Sequence, residues 1–265
     1  MELSGLRVSG MHAGYAGNRC VLKDASLAVE PGKVSCIIGP NGTGKTTLIR
    51  AILKLMPVHA GSVYFNGTDL HTVSPADRAR LVCYVPQGTP KRLSLRVYEY
   101  VLLGRRPHSQ YRTSENDLAV VESILERLDL LPLAHRNVST LSGGEAQKVA
   151  IARALAQEAP CIVLDEPTSA LDVRHQLTVM DIVRKLAYDD GSTILLVMHD
   201  LSLAARYADH IVLLHGGTVY ASGAPEDVIT VESLRDVYGV DAYLERGDRG
   251  LRVSVERVSA LDSVS

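Results

Sequence analysis

The chain has 265 residues, 46% of them hydrophobic and 22% charged, with a formal net charge of -2. That length allows one domain or two small ones, and the composition argues against extensive disorder. The near-neutral charge excludes a global basic field that would recruit nucleic acid or anionic lipid. Cys20, Cys36, Cys83 and Cys161 are widely spaced with no C-x-x-C pair, so they read as reduced, mostly buried thiols of a cytosolic protein. No apolar run approaches the roughly 20 residues of a membrane helix. Met1-Glu2-Leu3-Ser4-Gly5 lacks the basic and apolar regions of a signal peptide. The expectation is a chain that does not itself cross a membrane but sits on one through a partner.

Polar and apolar residues alternate through Leu6, Val8, Val21, Leu22, Leu27 and Val29, which predicts antiparallel strands with one buried face. After the Pro31-Gly32 turn, Val34-Ser35-Cys36-Ile37-Ile38 is a continuous apolar strand, as a sheet covered on both faces requires. A helix is predicted over 46–55, with Leu48, Ile49, Ile52, Leu53 and Leu55 on its buried face. A strand over 62–65 leads into the tight turn Asn66-Gly67, and a buried strand over 81–85 is closed by Pro86-Gln87. Ser114-x-x-Asp117 opens a helix whose apolar face includes Leu118, Val121, Ile124, Leu125 and Leu128. Strands return over 162–165, 193–198 and 211–214. Strands alternating with helices predict an α/β fold with a mostly parallel sheet. Residues 1–87 and 158–246 read as its core, with an N-terminal antiparallel β part, and 88–157 as an inserted helical subdomain. The tail, 247–265, is polar and weakly patterned, and turnover is expected to survive its removal.

The run Gly39-Pro40-Asn41-Gly42-Thr43-Gly44-Lys45-Thr46 matches G-x-x-x-x-G-K-[ST] between an apolar strand and a helix. Glycines let successive backbone N–H groups turn inward around phosphates, and the helix dipole adds to the pull on an anion. Lys45 would reach the β- and γ-phosphates of a nucleotide, and Thr46 would place its hydroxyl on magnesium. Asp165 ends the apolar run Ile162-Val163-Leu164 and is placed to hold that metal, while Glu166 is placed to polarise an attacking water. Ser142-Gly143-Gly144-Glu145 is a capping box that opens a second helix, and so a second anion site. If the helical segment points outward, one chain cannot use both sites on the same phosphate, and a second copy is the natural donor.

On these residues the chain resembles the ATP-binding cassette (ABC) ATPases over about 3–240. Leu141-Ser142-Gly143-Gly144-Glu145 is similar to the family signature, with Ala146 following where a polar residue is frequent. The resemblance implies a head-to-tail dimer in which Ser142, Gly143, Gly144 and Glu145 close over the partner's ATP, with Asp172 of Ser169-Ala170-Leu171-Asp172 at the seam. It implies that Gln87 touches magnesium and the attacking water, that His199 contacts the γ-phosphate, and that Tyr15 stacks on adenine. The nucleotide set then runs from Gly39 through Pro40, Asn41, Gly42, Thr43, Gly44, Lys45, Thr46 and Thr47, with Thr46, Gln87 and Asp165 toward magnesium. Glu166, His199, Gln87 and Lys45 form the catalytic set.

Within the family, Gly104-Arg105 with Pro107-His108 resembles import ATPases for iron-siderophore, haem and cobalamin complexes. That implies polytopic membrane subunits, indirectly a substrate-binding protein, and a peripheral place on the cytoplasmic face of the cell membrane. The docking surface would include 97–100 and 103–108. The alternatives are the ATPase of another transporter class, or a soluble ABC ATPase acting on nucleic acid, ribosomes or cluster assembly. Lys91, Arg92, Arg96, Arg105, Arg106 and Arg112 favour the latter, but interspersed Glu99, Glu115 and Asp117 fit a solvated or docking face and make nucleic acid an unexpected partner.

Overall fold

The N-terminal alternation becomes β1 (Leu6–Tyr15) and β2 (Arg19–Val29), followed by β3 (Val34–Ile38), β4 (Val58–Phe65) and β5 (Thr68–Asp69). Strands β2, β1, β4 and β5 form, in that order, an antiparallel sheet whose buried face carries Leu6, Val8, Met11 and Ala13. The computed structural model describes residues 4–15, 19–88, 94–108, 112–247 and 250–258. Met1, Glu2 and Leu3, the basic pair Lys91 and Arg92, and 248–249 and 259–265 of the tail lie outside the described residues.

The second sheet adds β6 (Val82–Val85), β7 (Cys161–Asp165), β8 (Thr193–Val197), β9 (His210–His215) and β10 (Thr218–Gly223), in the order β10-β9-β3-β8-β7-β6. All its pairings are parallel except β9 with β10. Side chains alternate across a strand, and here both faces are apolar. Cys36, Ile38, Ile194 and Leu196 enter one core, while Ile37, Leu195, Val197 and Val163 enter the other. The second core is closed by β1, β2 and α1 (Lys45–Ile52). The first is closed by helices that follow α2 (Pro75–Leu81): α3 (Val97–Leu102), α4 (Glu115–Arg127), α5 (Gly143–Leu155), α6 (Val173–Tyr188) and α7 (Leu201–Tyr207). Parallel strands end together, so Ile38, Asp165 and Val197 deliver their following loops to one edge.

Four expectations differ from the structure. Helix α1 stops at Ile52, because Lys54 turns the chain at φ 54, and Leu55 is left 60% exposed. In the first turn of α4 Asp117, not Leu118, faces the interior, and Leu118 is 41% exposed. The described part of the tail is structured: β11 (Val240–Gly247) pairs with β12 (Gly250–Val258), and Leu251 and Val253 pack against the core. Part of the expected docking surface is interior, since Val97, Tyr100, Gly104 and Arg105 are buried where α3 packs beside α5. Glu99 and Arg106 remain exposed there.

Candidate active site

The turn after β3 folds against its own lysine. Lys45 Nζ donates to the carbonyls of Gly39 at 2.7 Å and Pro40 at 2.9 Å, and Thr43 Oγ1 donates to Pro40 O at 2.9 Å. These bonds curl the loop so that its rim, Asn41 and Gly42, stays exposed while Thr43, Lys45 and Thr47 are buried. The N-cap of α1 is Gly44, with no side-chain cap and no acidic residue in the first turn. The first N–H groups of a helix have no intrahelical partner, so here they stay available to an anion. Burial lowers the Lys45 pKa from the usual lysine range, opposed by the charges of Glu166 and Asp165.

A cleft of about 400 Å³ opens over this turn, and Tyr15, Asn41, Lys45, Thr46, Glu166 and His199 are among its walls. Tyr15 is 47% exposed at the rim, as an aromatic surface for a flat base requires. None of Ser142, Gly143, Gly144 and Glu145 lines the cleft. Glu166 leaves β7 in the left-handed region, φ 50, fixed by its N–H donating to Val197 O at 3.0 Å and its carbonyl accepting from Ser169 Oγ at 2.9 Å. A non-glycine residue there carries strain of about 1–3 kcal/mol. That turn aims the carboxylate into the cleft, where one oxygen accepts from Gln87 Nε2 and the other meets His199 Nε2.

Asp165 is 2% exposed, and its Oδ1 has no hydrogen-bond partner among the described residues. Burial raises its pKa above the ordinary aspartate value, with bonds from Tyr84 and Thr46 acting against the rise. Tyr84 donates to Oδ2 at 3.3 Å. The sequence pattern marks Tyr84 only as a strand residue. The missed signal is position: Tyr84 lies three residues before Gln87, opposite Val163 in register, so its ring lies on the face that reaches Asp165.

Ser142 caps α5 at the other glycine turn. Its hydroxyl accepts from Glu145 N at 3.3 Å, while Glu145 accepts from both the N–H and the hydroxyl of Ser142 at 2.8 Å. The Ser142 amide and hydroxyl hold the Glu145 pKa below its ordinary value. Asp172 caps α6, and its Oδ1 meets His175 Nδ1 at 2.8 Å. The His175 ring then fills the space beside Gly144, where a Cβ would lie 2.0 Å from the ring. His175, which no sequence motif singles out, thus joins Asp172 to the Ser142–Glu145 turn within one chain.

A doubly covered parallel sheet whose strand ends deliver a curled glycine loop, a buried aspartate and a strained glutamate defines a P-loop nucleotide-binding cassette. The family model described as ABC transporter matches residues 22–169. The chain belongs to the ABC transporter ATP-binding family. It is 40% identical over 233 residues to the cobalamin import ATP-binding protein BtuD of Halobacterium salinarum, covering 88% of this chain and 58% of that protein. It is 37% identical over 244 residues to the iron(3+)-hydroxamate import ATP-binding protein FhuC of Bacillus subtilis, covering 91% and 90%. It is 41% identical over 245 residues to the hemin import ATP-binding protein HmuV of Pseudomonas entomophila, covering 91% and 94%. The chain therefore spans less than two thirds of the Halobacterium relative and nearly all of the other two. A chain from a structure described as an inward-facing metal-chelate type ABC transporter superposes with a TM-score of 0.82 at 26% identity, covering 96% of this chain and 97% of that one. The dimeric cassette MJ0796 does so at 0.73 and 28% identity, covering 83% and 98%.

Proposed function

We propose that this chain is the ATP-hydrolysing subunit of an importer for an iron-siderophore, haem or cobalamin complex. Two copies sandwich two ATP molecules, and their closure drives separate membrane subunits that receive cargo from a substrate-binding protein. The observation that carries the reading is the Glu166 carboxylate, held between Gln87 and His199 in the same cleft as Lys45 and Thr46. Lys45 and the uncapped start of α1 bind the phosphates, and Tyr15 stacks on the base. Glu166 accepts a proton from the attacking water while Gln87 and His199 fix its two oxygens. Ser142 of the second copy supplies donors from the opposite side as charge develops on the transferred group.

The donor set fits magnesium, a cation that takes oxygen ligands and keeps several waters. The buried, unpartnered Oδ1 of Asp165, the Thr46 hydroxyl and the Gln87 side-chain oxygen would hold it. Magnesium, when bound, neutralises charge on the β- and γ-phosphates.

Among the described residues no helix is long and apolar enough to cross a membrane; the peripheral place on the cytoplasmic face follows from the importer reading. The three import ATP-binding relatives support the cargo class. The competing soluble role leaned on a local basic excess. Arg105, one of its members, is buried and paired with Asp117 and Glu158, which supports the transport reading.

Substituting Glu166→Gln tests the chemistry. Turnover is expected to fall about 10³-fold, with ATP binding retained and a stable ATP-bound dimer on gel filtration. Unchanged turnover would remove Glu166 from its role. Pull-down from gently solubilised native membranes tests the transport assignment. A stoichiometric polytopic membrane protein is expected, and an eluate of ribosomal or nucleic-acid proteins would sink it.

A further inference from the structure

Gly104 and Arg105 belong to the segment expected on the docking surface, yet both are buried. Arg105 is 3% exposed, and its charge is met on three sides. Nε donates to Asp117 Oδ1 at 2.9 Å, and one terminal nitrogen donates to Ala156 O at 2.8 Å and Glu158 Oε2 at 2.5 Å. Asp117 is the acidic member of the α4 capping box, accepting from Ser114 N at 2.9 Å and Ser114 Oγ at 2.8 Å. Ala156 is the C-cap of α5, where unpaired carbonyls and the helix dipole favour a cation. One planar guanidinium thus ties the start of α4 to the end of α5. Gly104 allows the approach, since a Cβ there would lie 2.1 Å from the Arg153 carbonyl oxygen.

The same end of α5 is also fastened to the core. Gln157 Nε2 donates to Val82 O at 3.1 Å and to Ala79 O, at the entry to β6. His108 Nε2 meets Gln157 O at 2.8 Å, and Arg80 Nε donates to Pro107 O at 2.9 Å. Strand β6 leads through Pro86 to Gln87. One end of α5 therefore presents Ser142, and the other is clamped between the α3–α4 segment and the strand that leads to the cleft.

We propose that Arg105 is a positioning residue that sets, through α5, the angle at which the Ser142–Glu145 turn meets a second chain's nucleotide. This rests on the reading that the turn acts in trans. Lysine is not equivalent at such a site. Arginine presents a rigid fork of donors, whereas an ammonium is a point charge on a flexible stem. Charge alone would not reproduce the clamp.

The test uses the full chain and two variants, Arg105→Lys and the milder Glu158→Gln, which removes the charge but not the acceptor oxygen of one of the three partners, at a half-exposed position. Four quantities are read: melting temperature, fluorescent ATP-analogue affinity of the dilute monomer, ATP-dependent dimerisation in a Glu166→Gln background, and kcat against KM. For Arg105→Lys the expectation is monomer affinity unchanged, dimerisation about tenfold weaker and kcat lowered in step. Glu158→Gln shifts the same way by less. If the variants melt lower but dimerise and turn over like the parent below their transitions, Arg105 is only a brace and the inference fails. If Arg105→Lys does not fold, Glu158→Gln decides by the same criterion. Ser142→Arg run alongside separates the two claims. Normal dimerisation there overturns the in-trans reading and this inference with it. A block there, with both other variants normal, overturns this inference alone.

Discussion

The two glycine turns, before α1 and before α5, look alike in sequence and are built oppositely. Gly44 leaves the start of α1 without a side-chain cap or an acidic residue, inside a walled cleft. Ser142 and Glu145 satisfy the start of α5 from within the chain, on an exposed surface. The first turn keeps its donors for a ligand. The second commits the Ser142 amide and hydroxyl and the Glu145 amide to its own capping box, so a phosphate arriving there competes with an existing carboxylate contact. An open cleft that carries its own lysine and uncapped helix start can bind an anion alone, whereas a capped, exposed turn contributes only when another molecule brings an anion to it.

Breaking each turn separately should therefore give unlike losses. Lys45→Ala is expected to weaken nucleotide binding and lower turnover about 10²–10³-fold, measured by analogue titration and phosphate release. Ser142→Arg should abolish turnover to a similar degree but leave binding to the single chain intact. Mixing the two inactive variants sharpens the contrast. A mixed dimer has one site with both defects and one with none, so activity should return on mixing. No recovery would mean that both turns serve the same chain's nucleotide.

A smaller effect is expected at Asp165, whose folded pKa is raised by burial. A carboxyl with a raised folded pKa contributes stability below its unfolded pKa and loses it as pH rises through the folded value. Above the folded value, burial of the charged Asp165 is therefore a cost. Asp165→Asn should raise the nucleotide-free melting temperature by about 2–4 °C while abolishing magnesium-dependent hydrolysis. The gain should vanish in scans carried below the ordinary aspartate pKa.

The smallest effect belongs to Glu145, whose pKa is lowered by the Ser142 amide and hydroxyl. Its contribution is present above the ordinary glutamate pKa, about 4.3, and is lost as pH falls through the lower folded value. Because Glu145 is largely solvent-screened, Glu145→Gln should cost no more than a few tenths of a kcal/mol at neutral pH, and calorimetry should find no difference from the parent in strong acid.

Much of this was legible in the chain. Doubly apolar strands such as Val34–Ile38, the glycine loop and the Ser142–Glu145 box are local patterns whose physics acts within a few residues, and the structure contains them. The cleft also brings Tyr15, Lys45, Thr46, Glu166 and His199 together as neighbours. Less legible was anything decided by packing between distant segments. Leu55 and Leu118 fit an apolar face by spacing, but a backbone turn and an inward aspartate leave them exposed. Arg105 reads as a surface charge until Asp117 and Glu158 are placed around it. In the tail, Leu251, Val253 and Val255 alternate with charged and polar residues, a period-two signal masked by the surrounding polarity.

The distribution of thiols has a practical consequence. Cys36, Cys83 and Cys161 are buried, and burial raises their pKa values, that of Cys83 to about 12. The thiolate is the nucleophile in alkylation, so these three stay inert in the folded chain. Cys20 is exposed and pairs across β1 and β2 with Gly14, next to Tyr15. The native sequence thus carries its own attachment point for a maleimide dye beside Tyr15 at the cleft rim, and a reporter of ligand entry into the cleft needs no introduced cysteine.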